Sequence, residues 1–138
     1  MERVLLDTNV VVSFLHRRSA QEQLLASRLF ERASRGTLLP LLDQHVLGET
    51  VQVFQDVYSL APGDIARIVK DLCLLPGLER VDRLRDRLLF DPWPDRMRDF
   101  GDAVVAAAAM GEACLVDTFD RRFRNTLSRL GVHLYTWN

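Results

Sequence analysis

Several acidic residues of this 138-residue chain lie at the ends of apolar runs rather than in polar surroundings. Asp7 interrupts the run MERVLLDTNVVVSFL, and charged side chains are almost never left unpaired inside a core. Acids with comparable apolar neighbours follow at Glu49, Asp102, Asp117 and Asp120. Each of them is either a local structural group, such as a helix cap, or a ligand for a cation.

Taken as a set, the acids favour a cation. Carboxylates that meet in one place repel one another and raise one another's pKa unless a positive ion neutralises them. Capping a helix contributes only about 1 kcal/mol, and Ser, Thr or Asn would cap without that repulsion. The set indicates a hard divalent ion, Mg²⁺ or Mn²⁺. The dispersed histidines lack zinc spacing and are interpreted as structural, namely His16, His45 and His133.

A divalent ion held by carboxylates suits phosphate chemistry. It keeps water ligands, binds phosphate, and can position a water of lowered pKa for in-line attack. A glycine-rich phosphate loop is absent from the sequence, which disfavours cleavage of nucleoside triphosphates. A phosphatase with an aspartyl nucleophile would carry a second Asp two residues after the first, where this chain has Asn9. Hydrolysis of a phosphodiester by a metal-activated water is the better interpretation.

The acids can meet only if the chain folds as alternating strands and helices. Short apolar runs alternate with longer amphipathic ones, which is typical of successive βα units in a parallel sheet. The predicted strands are Arg3–Leu6, TLLPLL, a weak Leu78–Val81, ACLV and VHLYTW. The predicted helices are TNVVVSFL, SAQEQLLASRLFERASRG, Asp43 to about Tyr58, GDIARIVKDLCLL, DFGDAVVAAAAMG and FDRRFRNTLSRLG.

This element order predicts where the acids meet. Ligands bind beyond the carboxyl ends of parallel strands, where the following helices begin. Asp7 and Asp117 end predicted strands, and Asp120 begins the helix after the second of these. Glu49 lies in the second turn of its helix, and Asp102 lies at the start of a helix that is apolar all round. We therefore expect these acids to converge on one edge of the sheet.

The composition excludes few classes of function. The length fits one domain, residues 1–138, with a core that needs no disulfide. No apolar run reaches membrane-spanning length and no signal peptide precedes the first strand, so we expect a cytoplasmic protein without a membrane partner. Cys73 and Cys114 have apolar neighbours and are interpreted as reduced core residues. A net charge of −1 does not indicate a nucleic-acid partner.

The acidic segments together resemble the PIN-domain ribonuclease family, and most of all the VapC-type toxins of bacterial toxin–antitoxin pairs. The resemblance rests on LLDTNVVVSFL, the Glu of VLGETVQVF, DFGDAVVAAAA and LVDTFDRRF, in this order over almost the whole chain. It implies a three-layer α/β/α sandwich with a central parallel sheet of four or five strands. It also implies one or two Mg²⁺ or Mn²⁺ ions, surrounded by Asp7, Glu49, Asp102 and Asp120.

The resemblance carries further implications for function. Thr118 falls on the family's hydroxyl position, and Asn9 on a residue that usually orients the first Asp. The implied activity is endonucleolytic cleavage of RNA that leaves a 5′-phosphate, and the implied partners are a small antitoxin and a second copy in a homodimer. Two alternatives stay open: a PIN-fold nuclease of RNA maturation or decay, and a non-catalytic domain that binds RNA or protein.

Two acids near the motifs have ambiguous roles. Asp117 stands where an apolar strand residue is common, so it is either an extra metal ligand or an unusual end of the strand. Asp99 precedes Asp102 by three residues, or almost one helical turn. It either shares the face of Asp102 or caps the helix, and the cap is favoured.

The remaining candidates could contact RNA. The segment DRLRDRLLFDPWPDRMR predicts a short helix to Phe90, ended by prolines. Trp93, in the insert 90–98, either stacks on a base or packs on the domain or a dimer mate, and packing is favoured. A run of arginines after Asp120 either grips RNA phosphates beside the metal or forms a solvated face, and its members are Arg121, Arg122 and Arg124.

Overall fold

A four-stranded parallel sheet forms the centre of the structure. The computed structural model describes residues 1–137, and its strands are β1 (Glu2–Leu6), β2 (Leu38–Asp43), β3 (Glu79–Val81) and β4 (Leu115–Asp117). The strands lie in the order β3-β2-β1-β4, and each neighbouring pair is parallel. The register places Val4 opposite Pro40 on one side and Leu115 on the other. The predicted parallel sheet of four or five strands is therefore confirmed.

Helices connect the strands and flank the sheet. They are α1 (Thr8–Leu15), α2 (Ala20–Ser34), α3 (Gln44–Asp56), α4 (Pro62–Cys73), α5 (Asp86–Phe90), α6 (Phe100–Glu112) and α7 (Arg121–Arg129). The short α5 ends at Phe90, just before the first proline of the segment, as predicted. In α6, residues 103–109 are all buried, because their small side chains let neighbouring elements pack closely around the helix. The α/β/α sandwich is confirmed.

The central strands β1 and β2 are mostly apolar because neighbouring elements cover the sheet. Val4, Leu5 and Leu6 of β1 are fully buried, as expected for a parallel sheet that is covered on both faces. Each such side chain contributes about 1.5–3 kcal/mol relative to an exposed position. In residues 1–137, none of the helices has the length and apolar character needed to cross a membrane.

Two predictions about the chain's periphery are wrong. The run VHLYTW forms only one bridge, between Val116 and Leu134. Beyond it, the Tyr135 carbonyl accepts a hydrogen bond from the Arg124 side chain instead of continuing the sheet. Cys73 is exposed, whereas Cys114 is buried, and both are free thiols. Cys73 follows the buried Leu72 on α4, and successive helix residues point about 100° apart, so Cys73 faces solvent.

Aspartates begin several helices of the sheet's carboxyl edge. In each case a side-chain oxygen accepts a hydrogen bond from a backbone N–H of the first turn, which satisfies an otherwise unpaired donor. The capping residues are Asp7, Asp43, Asp99 and Asp120. The prediction that Asp99 caps its helix is confirmed. For Asp7 and Asp120, capping explains one carboxylate oxygen and leaves the other for further contacts.

Candidate active site

Asp7 occupies the end of β1 with its carboxylate held by three donors. Its Oδ1 accepts a hydrogen bond from the Thr8 backbone N–H at 2.8 Å. Its Oδ2 accepts from the Thr118 hydroxyl at 2.7 Å and from the Asn9 side-chain amide at 3.3 Å. Burial raises the pKa of Asp7, which is only 8% exposed, although the bonds from Thr118 and Thr8 oppose the rise. The carboxylate is therefore both desolvated and fixed in direction.

Asn9 and Thr118 join the end of β1 to the loop that follows β4. The Asn9 amide donates to Thr118 Oγ1 at 3.1 Å, and its Oδ1 accepts from the Phe119 backbone N–H at 3.0 Å. Thr118 Oγ1 also accepts from the Asp120 backbone N–H at 3.2 Å. One hydroxyl thus links two of the predicted metal ligands, Asp7 through its side chain and Asp120 through its backbone.

The predicted acids converge on Asp102. Burial raises the pKa of this half-buried carboxyl to about 7, and the negative charges of its neighbours add to the rise. Those neighbours, in decreasing order of effect, are Asp99, Asp7, Asp120 and Glu49. The structure therefore brings together acids that the sequence separates by up to 113 residues, the span from Asp7 to Asp120 (120 − 7).

Glu49 reaches the site from α3. Its Oε1 accepts a hydrogen bond from the Thr8 hydroxyl at 3.0 Å and lies 3.3 Å from His45 Nε2. A Cβ atom on Gly101 would lie 3.1 Å from both Glu49 Oε2 and His45 Nε2. The missing side chain of Gly101 thus gives these two groups room beside the start of α6.

His45 is a neighbour of this site that sequence reasoning missed. It was interpreted as a structural histidine, and its ring does pack against Phe100 with 6.0 Å between the centroids. However, its Nε2 is buried and makes no aligned hydrogen bond within residues 1–137. The available signal was its spacing of four residues before Glu49, which puts both side chains on one face of a helix.

The Asp117 side chain is hydrogen-bonded to Trp137, near the end of the chain. Its fully buried Oδ1 accepts a hydrogen bond from the Trp137 indole N–H at 2.8 Å, and Oδ2 has no hydrogen-bond partner in the described residues. Burial raises the pKa of Asp117 to about 7, against the opposing effects of the Trp137 bond and the Arg124 charge. Of its two interpretations, these contacts favour an unusual strand end over a metal ligand.

The three arginines after Asp120 point in different directions. The Arg124 side chain donates to the backbone carbonyls of Thr118 at 2.9 Å and Tyr135 at 3.1 Å. Arg122 is exposed and lines a groove beside Asp102 and Asp120. Arg121 is exposed and does not line that groove. The run is therefore not one uniform surface, and of its three members only Arg122 lines the groove with Asp102 and Asp120.

Trp93 packs on its own domain. Its ring contacts Phe90 and Phe100, with centroid distances of 5.8 and 5.2 Å. Its indole N–H donates to the Arg98 carbonyl at 3.3 Å. These contacts agree with the favoured interpretation of the insert, in which Trp93 is a packing residue.

The donor chemistry of the cluster fits a hard divalent cation, although the ligands are not drawn together. In residues 1–137, no three Asp, Glu, His or Cys side chains are grouped closely enough to hold an ion as they stand. Burial is the largest cause of the raised pKa of Asp102, and the negative charge of its neighbours adds to it. A cation would neutralise that charge.

The family of the chain follows from a family-model comparison. Residues 4–127 match the model described as PIN domain. The chain belongs to the PIN domain family, which confirms the resemblance seen in the sequence motifs. No curated protein matches the sequence.

Solved structures share this fold. VapC20 from Mycobacterium tuberculosis, a sarcin–ricin loop cleaving toxin, is similar with a TM-score of 0.67 and 19% identity over 88% of this chain and 93% of that one. VapBC2 from Rickettsia felis, solved with a DNA fragment from its promoter, has a TM-score of 0.67 and 17% identity, covering 99% of both chains. PAE2754 from Pyrobaculum aerophilum has a TM-score of 0.62 and 14% identity over 94% and 96%.

Proposed function

We propose that this protein is a metal-dependent endoribonuclease and the toxin component of a toxin–antitoxin pair. The observation that carries the proposal is the convergence of Asp7, Glu49 and Asp120 on Asp102, whose pKa is raised first by burial and further by the charges of its acidic neighbours. Membership of the PIN domain family supports it. The likeness in fold to VapC20, a sarcin–ricin loop cleaving toxin, supports RNA as the substrate.

The acids have separate tasks in this proposal. Asp7, Asp102 and Asp120 hold Mg²⁺ or Mn²⁺, as one or two ions, while Glu49 holds a second ion or orients the attacking water. When bound, the ion lowers the pKa of a water and stabilises charge on the phosphate and the leaving oxygen. The Thr8 hydroxyl donates to Glu49 and fixes the direction of its carboxylate, which would orient the attacking water.

Thr118 and Asn9 are positioning residues in the proposal. Their side chains hold Oδ2 of Asp7, so this ligand needs no reorganisation when the substrate arrives. A preorganised polar group stabilises a transition state more than one that must first be turned into place. Asp99 and Asp117 support the site indirectly, since Asp99 caps α6 in front of Asp102 and Asp117 ends β4.

The partners follow from the same proposal. We expect a small antitoxin protein that covers the acids, and the likeness to VapBC2 from Rickettsia felis supports such a partner. We also expect a homodimer, a cytoplasmic location and no membrane partner. RNA is the substrate, and its backbone supplies the phosphodiester that is hydrolysed.

Asp7→Asn tests the proposal. The amide keeps a side-chain oxygen toward Thr8 N–H but lacks the negative charge for a cation, so cleavage of single-stranded RNA with Mg²⁺ should be abolished while the fold is retained. Circular dichroism and thermal unfolding report the fold, and sequencing of newly formed 5′-phosphate ends reports cleavage and target. Asp71→Asn is the matched control. Asp71 is exposed on α4, so this variant should cleave RNA at the wild-type rate. Full activity of Asp7→Asn would contradict the assignment.

A further inference from the structure

A groove of about 700 Å³ runs from the acids along α7. Its walls are α7 on one side and the segment 95–99 on the other, and Asp102 and Asp120 lie in its lining. Its other polar side chains are those of two further aspartates, four arginines, an asparagine and a threonine, namely Asp95, Asp99, Arg96, Arg98, Arg122, Arg129, Asn125 and Thr126. We call this feature the basic groove after its arginines. Its arginines are notable because the acids beside them would otherwise repel a phosphate.

The α7 wall is a single face of that helix. Arg122, Asn125, Thr126 and Arg129 are spaced three, four and seven residues apart, which aligns their side chains along one side. Phe123, on a different face, is packed into the core. From the capping Asp120 to Arg129, the helix advances about 13 Å. The basic groove thus extends well beyond the acids in one direction.

The opposite wall presents arginine from an anchored backbone. Met97 is 5% exposed, between the exposed Arg96 and Arg98, so the buried side chain holds the segment down while its neighbours face outward. The carbonyl of Arg98 accepts the hydrogen bond from the Trp93 indole. Arg96 is engaged with Asp91 at 2.7 Å. Arg98 is therefore the arginine on this wall that is exposed to solvent and makes no ion pair, so its guanidinium can bind a ligand.

Three of the four groove arginines make no ion pair with a carboxylate. Among the ion pairs of residues 1–137, none involves Arg98, Arg122 or Arg129. All three are exposed. Their planar guanidinium groups can donate two parallel hydrogen bonds to a phosphate. Asn125 lies between Arg122 and Arg129 and adds a side-chain amide of the kind that contacts nucleic-acid backbones, whereas the Thr126 hydroxyl donates to the Arg122 carbonyl at 3.1 Å.

We propose that the basic groove binds the sugar–phosphate backbone of single-stranded RNA on one side of the bond to be cleaved. Arg122 contacts the phosphate nearest the acids, and Arg98 and Arg129 contact phosphates farther along the strand. This inference rests on the proposed function, since it places the RNA of that reaction. Contacts of this kind fix the register of the strand without reading its sequence.

Salt-dependent RNA binding tests the groove without any cleavage. In an Asp7→Asn background with chelator present, short labelled single-stranded RNA is titrated at salt concentrations between about 50 and 200 mM. Each lost phosphate contact lowers the slope of log affinity against log salt by about 0.7 for a single strand. Arg98→Ala with Arg129→Ala should therefore lower it by about 1.4 and weaken binding. Arg28→Ala, an exposed arginine of α2, should change neither quantity.

The outcomes separate the groove from the proposed function. An unchanged affinity and slope in the double variant would overturn the groove, even if the wild-type protein cleaves RNA. A reduced slope in a protein that never cleaves RNA would support the groove and contradict the nuclease. If a polyglutamate peptide binds in a way that depends on these arginines while RNA does not, the groove belongs to an acidic protein and our inference is wrong. Should the double variant fail to fold, Arg98→Gln and Arg129→Gln are measured singly.

Discussion

Thr118 donates its hydroxyl hydrogen bond to Asp7, with 2.7 Å between Oγ1 and Oδ2, although 111 positions separate the two residues. Because β1 and β4 are neighbours in the sheet, their carboxyl ends place the two side chains in contact. The Asp7 backbone N–H also donates to the Asp117 carbonyl at 3.0 Å. The direction of the first predicted metal ligand therefore depends on the strand at the other end of the chain.

Thr118→Val tests this dependence. The substitution keeps the side-chain shape but removes the donor to Asp7 and the acceptor for Asn9. We expect cleavage to fall by about 10- to 100-fold, as for other groups that orient a metal ligand, and stability to fall by about 1–3 kcal/mol. The measurements are kcat/KM on RNA and a Mn²⁺ titration. Thr118→Ser retains the hydroxyl and should restore most activity, so equal losses in both variants would contradict a positioning role.

The raised pKa of Asp102 predicts how the stability of the metal-free protein depends on pH. Its pKa is raised from 3.8 to about 7 in the folded state, so the folded protein holds a proton that the unfolded chain has released. Stability is then lost as the pH rises through the window between these values. Asp102→Asn cannot ionise there, and its stability relative to the wild type should increase from about pH 4 to pH 7.

Urea unfolding in chelator at several pH values measures this difference. Added Mn²⁺ should stabilise the wild-type protein at neutral pH and raise its unfolding midpoint, because an ion that binds only the folded state shifts the equilibrium. The same addition should have a smaller effect on Asp102→Asn. A constant difference between the two proteins across the pH range would show that the carboxyl is not desolvated as described.

Gly101→Ala examines the space that Glu49 occupies. The new methyl group would lie 3.1 Å from Glu49 Oε2 and from His45 Nε2, so both side chains must shift. Since misplacement of a reacting group by about 1 Å can cost about 100-fold in rate, we expect about a tenfold loss of cleavage. Thermal stability should change little, because alanine favours a helix by roughly 0.5–1 kcal/mol over glycine, and this gain offsets the cost of moving the two side chains.

A second glycine provides the comparison for this substitution. Gly63 lies in the first turn of α4, and a Cβ atom there would meet nothing within 4 Å. Gly63→Ala should therefore cleave RNA at the wild-type rate. If both alanine variants retain full activity, the position of Glu49 does not limit the reaction.

Local patterns in the sequence were sufficient to predict the sheet and most of its helices. The apolar run of β1 is short and that of α6 is long, which distinguishes a buried strand from a buried helix. Aspartates at strand ends and helix starts were found because a charge beside an apolar run needs a partner. The cap at Asp99 was likewise predicted from three residues of local chain.

Contacts between distant segments could not be predicted in this way. The sequence indicated only a structural role for His45. The contact of α3 with α6 at Gly101 places its ring beside Glu49. In the sequence, Arg124 is one of three apparently equivalent arginines. In the structure it differs from the others because it donates to the carbonyls of Thr118 and Tyr135. The approach of α6 to His45 and the position of the Tyr135 carbonyl beside Arg124 depend on packing, which no local pattern in the sequence describes.

The sequence by itself determined which acids are unusual, that they lie at one edge of a parallel sheet, and the family to which they belong. Only the tertiary structure decided that Asp117 turns toward Trp137, that Cys73 is exposed, and that the basic groove opens beside Asp102. The reason is physical. Periodicity and capping depend on interactions within a few residues, whereas the direction of a side chain depends on the register and packing of segments that meet only after folding.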